Sequence, residues 1–239
     1  MTADLEVTLP TAASEVQIDA SRFAAISRLA DDLAHEFKNP LHAMVINLEV
    51  LKRRVEKGAT EAALERTGVL EHEVQRLHVL LEALLRLLRP DRSSEGPASV
   101  GQVLEEIRPI LELRARIARV EFNQDVASAE VYTSVKPDLL RFSLVVIADV
   151  LLEAARVSGG DLLLTTDALD EEIQLRIKST KGADWAVREL AEKPKSAATL
   201  RGLPAAAALL YTTGGSMELE RKAEPGVSVL IRIPRSSFV

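Results

Sequence analysis

Residues 30–51 read ADDLAHEFKNPLHAMVINLEVL, and their spacing decides the first half of the fold. Apolar side chains recur at Phe23, Ile26, Ala30, Leu33, Phe37, Leu41, Met44, Leu48, Leu51 and Val55. Steps of three and four alternate, as in a helix that shows one apolar seam to a neighbour. The alternation slips once, with two successive steps of four around Pro40. A proline inside a helix removes a backbone hydrogen bond and crowds the carbonyl four residues back. The spacing therefore predicts a bend or widened turn at residues 37–41.

Gly58 ends this segment, and a second seam follows at Ala63, Thr67, Leu70, Val74, Leu77, Leu81, Leu84 and Leu88, stopped by Arg89-Pro90. Two helices of roughly 30 to 35 residues, about 45–50 Å each, joined by a short turn predict an antiparallel hairpin over residues 21–89. Leu80, Leu85 and Leu87 widen the apolar face beyond what one hairpin covers, so a homodimer forming a four-helix bundle is expected. Residues 1–20 read as a loose leader. Residues 90–99, PDRSSEGPAS, read as a linker. Beyond the linker the period changes. Helices at 100–118, 139–157 and 204–213 interleave with strands at 120–123, 131–135, 161–166, 172–178, 216–221 and 227–234. That order predicts an α/β two-layer sandwich over residues 100–239, and an α+β chain as a whole.

Composition narrows the function classes. A hydrophobic fraction of 47% in 239 residues supports a real core, and only 3% aromatics means that Leu, Val, Ile and Ala build it. The chain has no cysteine, which excludes disulfides, thiolate metal sites and a cysteine nucleophile. A net charge of −6 with no basic block argues against nucleic acid. No apolar run reaches the roughly 18 residues of a membrane span, and the start lacks signal-peptide character, so a cytoplasmic protein is expected.

His35 lies two positions, or about 200°, from both Leu33 and Phe37, so it points away from the seam. Asn39 and His42 share its stripe. A solvent-facing histidine is by itself ordinary surface. One that is mostly neutral near pH 7 also has a nucleophilic ring nitrogen, and an adjacent carboxylate can hold the other nitrogen's proton. The run HEFKN falls short of the H-E-x-x-H zinc motif because Asn39 stands at its fifth position. His72 and His78 have no such context.

The segment HEFKNPL (35–41) resembles the H-box of bacterial sensor histidine kinases, a helical H-E-hydrophobic-basic-N-P-L. The resemblance implies that His35 accepts a phosphoryl group, that Glu36 assists as base, and that Asn39 matters when a partner is dephosphorylated. It also implies dimerising hairpins. Residues 100–239 resemble the family's GHKL-type ATP-binding domain: LRFSLVVIADVLLEAARVSGG follows its N-box helix, and GLPAAAALLYTTGGSMELERKAEPGVSVLIRIP follows its closing helix and hairpin.

The nucleotide-contacting residues of that domain depart from the pattern. Asp149 and Glu153 stand where the N-box has two asparagines, the second of which binds Mg²⁺. The segment IKSTKGAD (177–184) stands where D-x-G-x-G belongs, with Ser179 at the adenine-reading Asp. Pro204 replaces a phosphate-cradling glycine and has no N–H to offer. Nowhere does an Asp precede a Gly by two, nor do two glycines flank one residue. Glu153 is still a competent Mg²⁺ ligand type. Each lost buried contact costs about 1–3 kcal/mol, and several together take a micromolar site out of useful range.

Three functions compete at this point. The first is a phosphorelay histidine phosphotransferase, moving phosphoryl groups between His35 and receiver-domain aspartates of response regulators. It needs no nucleotide or other bound cofactor, and the Mg²⁺ belongs to the partner receiver. This resembles the family's dimeric phosphotransferases with degenerate kinase-like domains, although HEFKNPL is closer to an ordinary kinase's H-box. The second is an ATP-dependent kinase with divergent motifs. The third is a pseudokinase scaffold or phosphatase that docks receivers.

Overall fold

The computed structural model describes residues 15–88, 96–126, 131–181, 203–220 and 226–236. Its elements are α1 (Glu15–Glu56), α2 (Thr60–Leu88), β1 (Ala98–Ser99), α3 (Val100–Ala118), β2 (Phe122–Val126), β3 (Tyr132–Thr133), α4 (Pro137–Ser158), β4 (Leu162–Ala168), β5 (Glu172–Ser179), α5 (Leu203–Tyr211), β6 (Ser216–Glu220) and β7 (Val227–Ser236). Residues 26–85 form one compact unit, and the chain from Arg86 onward belongs to another.

The first unit is the expected helical hairpin. Gly58, at φ 72°, turns the chain. The Gly58 N–H donates to the Val55 carbonyl at 3.0 Å and the Ala59 N–H to that of Arg54 at 2.9 Å, which caps α1. The helix starts earlier than expected, at Glu15, so residues 15–20 of the predicted leader are helical, while residues 1–14 lie outside the described residues. Of the bend or widened turn expected at residues 37–41, no widened turn forms: α1 runs as an unbroken α-helix through Pro40. One missing hydrogen bond in 42 residues does not stop a helix whose flanking turns propagate cooperatively.

The seam also needs correcting. The Arg66 guanidinium donates to the Asn47 side-chain oxygen at 3.1 Å, and Arg54 to the Ala62 carbonyl at 2.9 Å. Asn47 and Arg54 therefore face α2, in step with Phe37, Pro40, Met44 and Leu51, which are half-buried or buried. Leu41, Leu48, Val55, Val74, Leu81 and Leu88, read as seam positions, are exposed on the single chain, Leu41 at 52% and Val55 at 62%. The apolar stripe is wide enough for two neighbours, and two polar residues share the inner edge with Phe37, Met44 and Leu51, so a purely apolar reading mixed the two edges.

The second unit is the α/β sandwich. Its sheet runs β1-β3-β7-β5-β4-β2, with β6 also paired to β7. β4, β5, β7 and β6 are antiparallel neighbours, as their hairpin spacing predicts, whereas β2 joins β4 in parallel, Phe122 opposite Leu162. Ala98 and Ser99, assigned to the linker by sequence, form a strand against Thr133 and Tyr132; residues 89–95 lie outside the described residues. Ser99 then caps α3, accepting from the Gln102 N–H at 3.3 Å. Alternation on β5 buries Ile173, Leu175 and Ile177 on one face and leaves Gln174, Arg176 and Lys178 partly exposed on the other.

Helix α4 packs against α3 and α5 and onto β4 and β5. Every residue from Leu140 to Ala148 is buried, Arg141 included. Arg141 donates to Glu106 of α3 at 2.6 Å, and Glu106 also accepts from Arg86, in the last turn of α2, at 3.0 Å. Among the described residues, no helix is long and apolar enough to cross a membrane.

A proline in a helix interior costs about 3 kcal/mol against alanine, and burial of the Pro40 ring offsets part of that. Pro40→Ala is therefore expected to stabilise the hairpin by about 1–2 kcal/mol in denaturant unfolding followed by circular dichroism. A destabilised variant would restore a structural role for the proline-distorted turn.

Candidate functional site

The first candidate site lies on the hairpin. His35 is a residue of α1, and its side chain lies outside the described residues. Glu36 is half-buried and turned toward α2: one carboxylate oxygen is 4.0 Å from the guanidinium of Arg76, and the other accepts from the Asn39 side-chain amide at 3.4 Å. Arg76 also lies 3.7 Å from Glu73, one turn back on its own helix. Asn39 and His42 are exposed, as their stripe predicts, and so are His72 and His78. The structure thus brings Glu36 and Asn39 together one residue from His35 and adds a cation from the facing helix. A carboxylate one residue from a histidine is of the residue type that can take up a ring proton.

The second candidate site lies on the sandwich, where the nucleotide motifs belong. Asp149 and Glu153 sit one turn apart on α4, and each carboxylate is bound to an arginine. Asp149 accepts from Arg114 of α3, at 2.8 Å from Nε and again from Nη2. Glu153 accepts from Nε of Arg156 at 2.6 Å and from its Nη2. The Arg156 hydrogen bonds hold the Glu153 carboxyl below the usual carboxylate range. Partial burial opposes them, and the charges of Arg156 and Arg114 add to the lowering. Arg156 is raised in turn, first by that hydrogen bond and then by the charge of Glu153.

Ser179 ends β5 fully buried, and its hydroxyl donates to the Lys181 carbonyl. Two glycines close on this strand exit. A Cβ on Gly226 would lie 2.8 Å from the Ser179 carbonyl oxygen, and one on Gly160 would lie 2.8 Å from the Lys181 nitrogen. The Thr180 N–H donates to the Asp161 carbonyl at 2.9 Å, and the Asp161 N–H donates to the Thr180 hydroxyl at 2.8 Å. Pro204 is in the first turn of α5, its side chain outside the described residues, as are residues 182–184 and 201–202 of the two glycine motifs. Among the described residues, no group of three or more His, Asp or Glu is placed to hold a metal. Asp149 and Glu153 thus each have an arginine as ion-pair partner, and the Ser179 hydroxyl bonds within the chain.

Sequence reasoning missed Arg114, Arg156, Arg76 and Glu73. Three of these were legible: Arg156 follows Glu153 by three, and Arg76 follows Glu73 by three, both i,i+3 neighbours on a helix. Arg114 and Asp149 are 35 residues apart, as are Glu106 and Arg141. Equal offsets place α3 and α4 side by side and parallel, which no local pattern reports.

Residues 25–93 match the His Kinase A (phospho-acceptor) domain. The chain is similar to sporulation kinase D of Bacillus subtilis, 24% identical over 230 residues, covering 92% of this chain and 44% of that one. It is also similar to the signal transduction histidine-protein kinase AfsQ2 of Streptomyces coelicolor, 24% identical over 257 residues, covering 98% and 47%. The chain thus spans less than half the length of these relatives. Among solved structures it resembles a bacterial phosphotransferase at 16% identity and a TM-score of 0.51, covering 94% of this chain and all of that one, a likeness of fold.

The Glu153–Arg156 pair has a measurable signature. A folded-state pKa below the unfolded value stabilises the fold above about pH 4.5, and that contribution is lost as the pH falls through the folded value. Because the pair is half exposed, the stability involved is small. The direct readout is a carboxyl-carbon NMR titration, in which Arg156→Ala should move the Glu153 midpoint up toward the ordinary range. An unmoved midpoint would mean that the arginine is not what holds this carboxylate.

Proposed function

This chain is built as the dimerisation and ATP-binding regions of a histidine kinase are, a phospho-acceptor hairpin followed by a GHKL-like fold, and we propose that it works in two-component signalling by phosphoryl transfer at His35. The donor is the aspartyl phosphate of a response-regulator receiver domain. An imidazole nitrogen of His35 attacks phosphorus, the P–O bond to the receiver's aspartate breaks to leave a carboxylate, and a P–N bond forms. The proton on the other ring nitrogen passes to Glu36. Reversal hands the group to a second receiver, whose own Mg²⁺ balances the phosphoryl charge. Asn39, exposed on the same stripe, positions a phosphoryl oxygen or a water.

The observation that supports transfer without ATP is the ion pairing of Asp149 with Arg114 and of Glu153 with Arg156. These are the positions at which the family presents free amides to metal and nucleotide.

The comparisons weigh toward a second reading, an ATP-dependent kinase with divergent motifs, because the curated relatives are named as kinases. A single experiment separates the two. Phosphorylated receiver domains and labelled ATP are offered in parallel, and label is followed onto His35, with His35→Gln as control. Label from receivers, none from ATP and an unchanged unfolding temperature at millimolar ADP and Mg²⁺ are expected. Label from ATP alone would replace the first reading by the second.

We also infer a homodimer through the outward stripe of Leu41, Val45, Leu48 and Val55 on α1 with Leu64, Val74 and Leu81 on α2, all exposed on one chain. Val45→Asp with Leu48→Asp should yield monomers in light scattering while the helical spectrum is kept. A dimer that survives both charges would place the interface elsewhere.

A further inference from the structure

We propose that Arg76 of α2 is a positioning residue for Glu36, shared with Glu73, and that it sets how readily Glu36 serves the histidine beside it. The proposal rests on the reading of His35 and Glu36 given above. Three charged groups meet between the helices: the carboxylates of Glu36 and Glu73, each about one-fifth exposed, and one guanidinium between them at 4.0 and 3.7 Å. Neither contact has closed to hydrogen-bond length, so the guanidinium is split between two acceptors rather than committed to one.

The two oxygens of Glu36 have different partners. One accepts from the Asn39 amide, a neutral donor on the same helix, and the other faces Arg76. The two long contacts bias the plane of the carboxylate without closing on it. With the Arg76 contact gone, Asn39 alone holds it, and the group is free to swing about its last torsion. Movement of Arg76 toward Glu73 has the same effect without a substitution. A partly exposed ion pair of this length contributes little to stability, so its consequence should be in rate and not in folding.

The test uses the full chain with phosphoramidate as donor, so that no receiver surface enters. The donor's P–N bond breaks, ammonia leaves, the new P–N bond forms on His35, and the ring proton goes to Glu36 and on to the ammonia. Phosphohistidine formation is timed for the wild type, Arg76→Gln, Glu36→Gln, the double variant Arg76→Gln/Glu36→Gln, Arg76→Lys and Glu73→Gln, with unfolding temperatures measured for all. Glu36→Gln is expected to slow the reaction at least tenfold. Arg76→Gln should slow it roughly three- to tenfold, and the double variant should be no slower than Glu36→Gln alone, because Arg76 acts through that residue. Arg76→Lys should recover most of the rate, and Glu73→Gln should raise it about twofold by leaving Arg76 to Glu36. Losses that multiply in the double variant, an unchanged rate in Arg76→Gln, or no effect of Glu36→Gln would each overturn the proposal. Failure of the wild type to be labelled at His35 is a separate result and would overturn the reading of His35 itself.

Discussion

Helix α4 has almost no side to give to water. It packs against two helices and two strands, and the run from Leu140 to Ala148 is buried throughout. A charge carried on such a helix must be paired, because an unpaired ion out of water costs several kcal/mol. The pairing partners come from α3: Glu106 meets Arg141, and Arg114 meets Asp149 eight residues further along each helix. These two bridges fix the parallel register of α3 on α4. One of them also occupies an oxygen of Asp149.

Further along the helix the pairing continues in a half-exposed setting. Glu153, one turn beyond Asp149, is held by Arg156, so the pair of acids on that face is matched by a pair of guanidiniums. The exit of β5 is closed upon by Gly160 and Gly226, and its hydroxyls bond within the chain. A domain with these features keeps its architecture while the groups that would reach outward are turned to internal bonds. The hairpin differs. It leaves Asn39 exposed and gathers Glu36, Arg76 and Glu73 beside the histidine-bearing turn. The charge pairs of Asp149 and Glu153 on the sandwich close to hydrogen-bond length, whereas those of Arg76 on the hairpin stay at 3.7 and 4.0 Å.

Pro40 illustrates how local and collective effects compete. Its missing N–H leaves the Glu36 carbonyl without the helical donor of residue 40, yet α1 continues through it. The slip in the heptad around it is real in the sequence, but it marks a change of apolar edge rather than a widened turn. The inner edge passes through Asn47 and Arg54, whose polarity hides them from a hydrophobic count although both bond to α2.

The sequence alone determined the order and kind of the long elements, the hairpin and sandwich architecture, and the histidine in its family-like setting. Each rests on short-range information: periodicity, glycine and proline punctuation, and a run of seven residues. Short strands such as Ala98–Ser99 were not legible, because two residues carry no period and form only against Tyr132–Thr133. Likewise, Asp149 and Glu153 were readable as departures from a motif, and Arg156 as a helical i,i+3 neighbour, but Arg114 was not. Arg114 reaches Asp149 only once α3 lies parallel on α4, and Arg76 reaches Glu36 only once α2 folds back on α1. Charge pairing across elements depends on packing, and packing is decided by the burial of whole faces, which only the tertiary structure brings together.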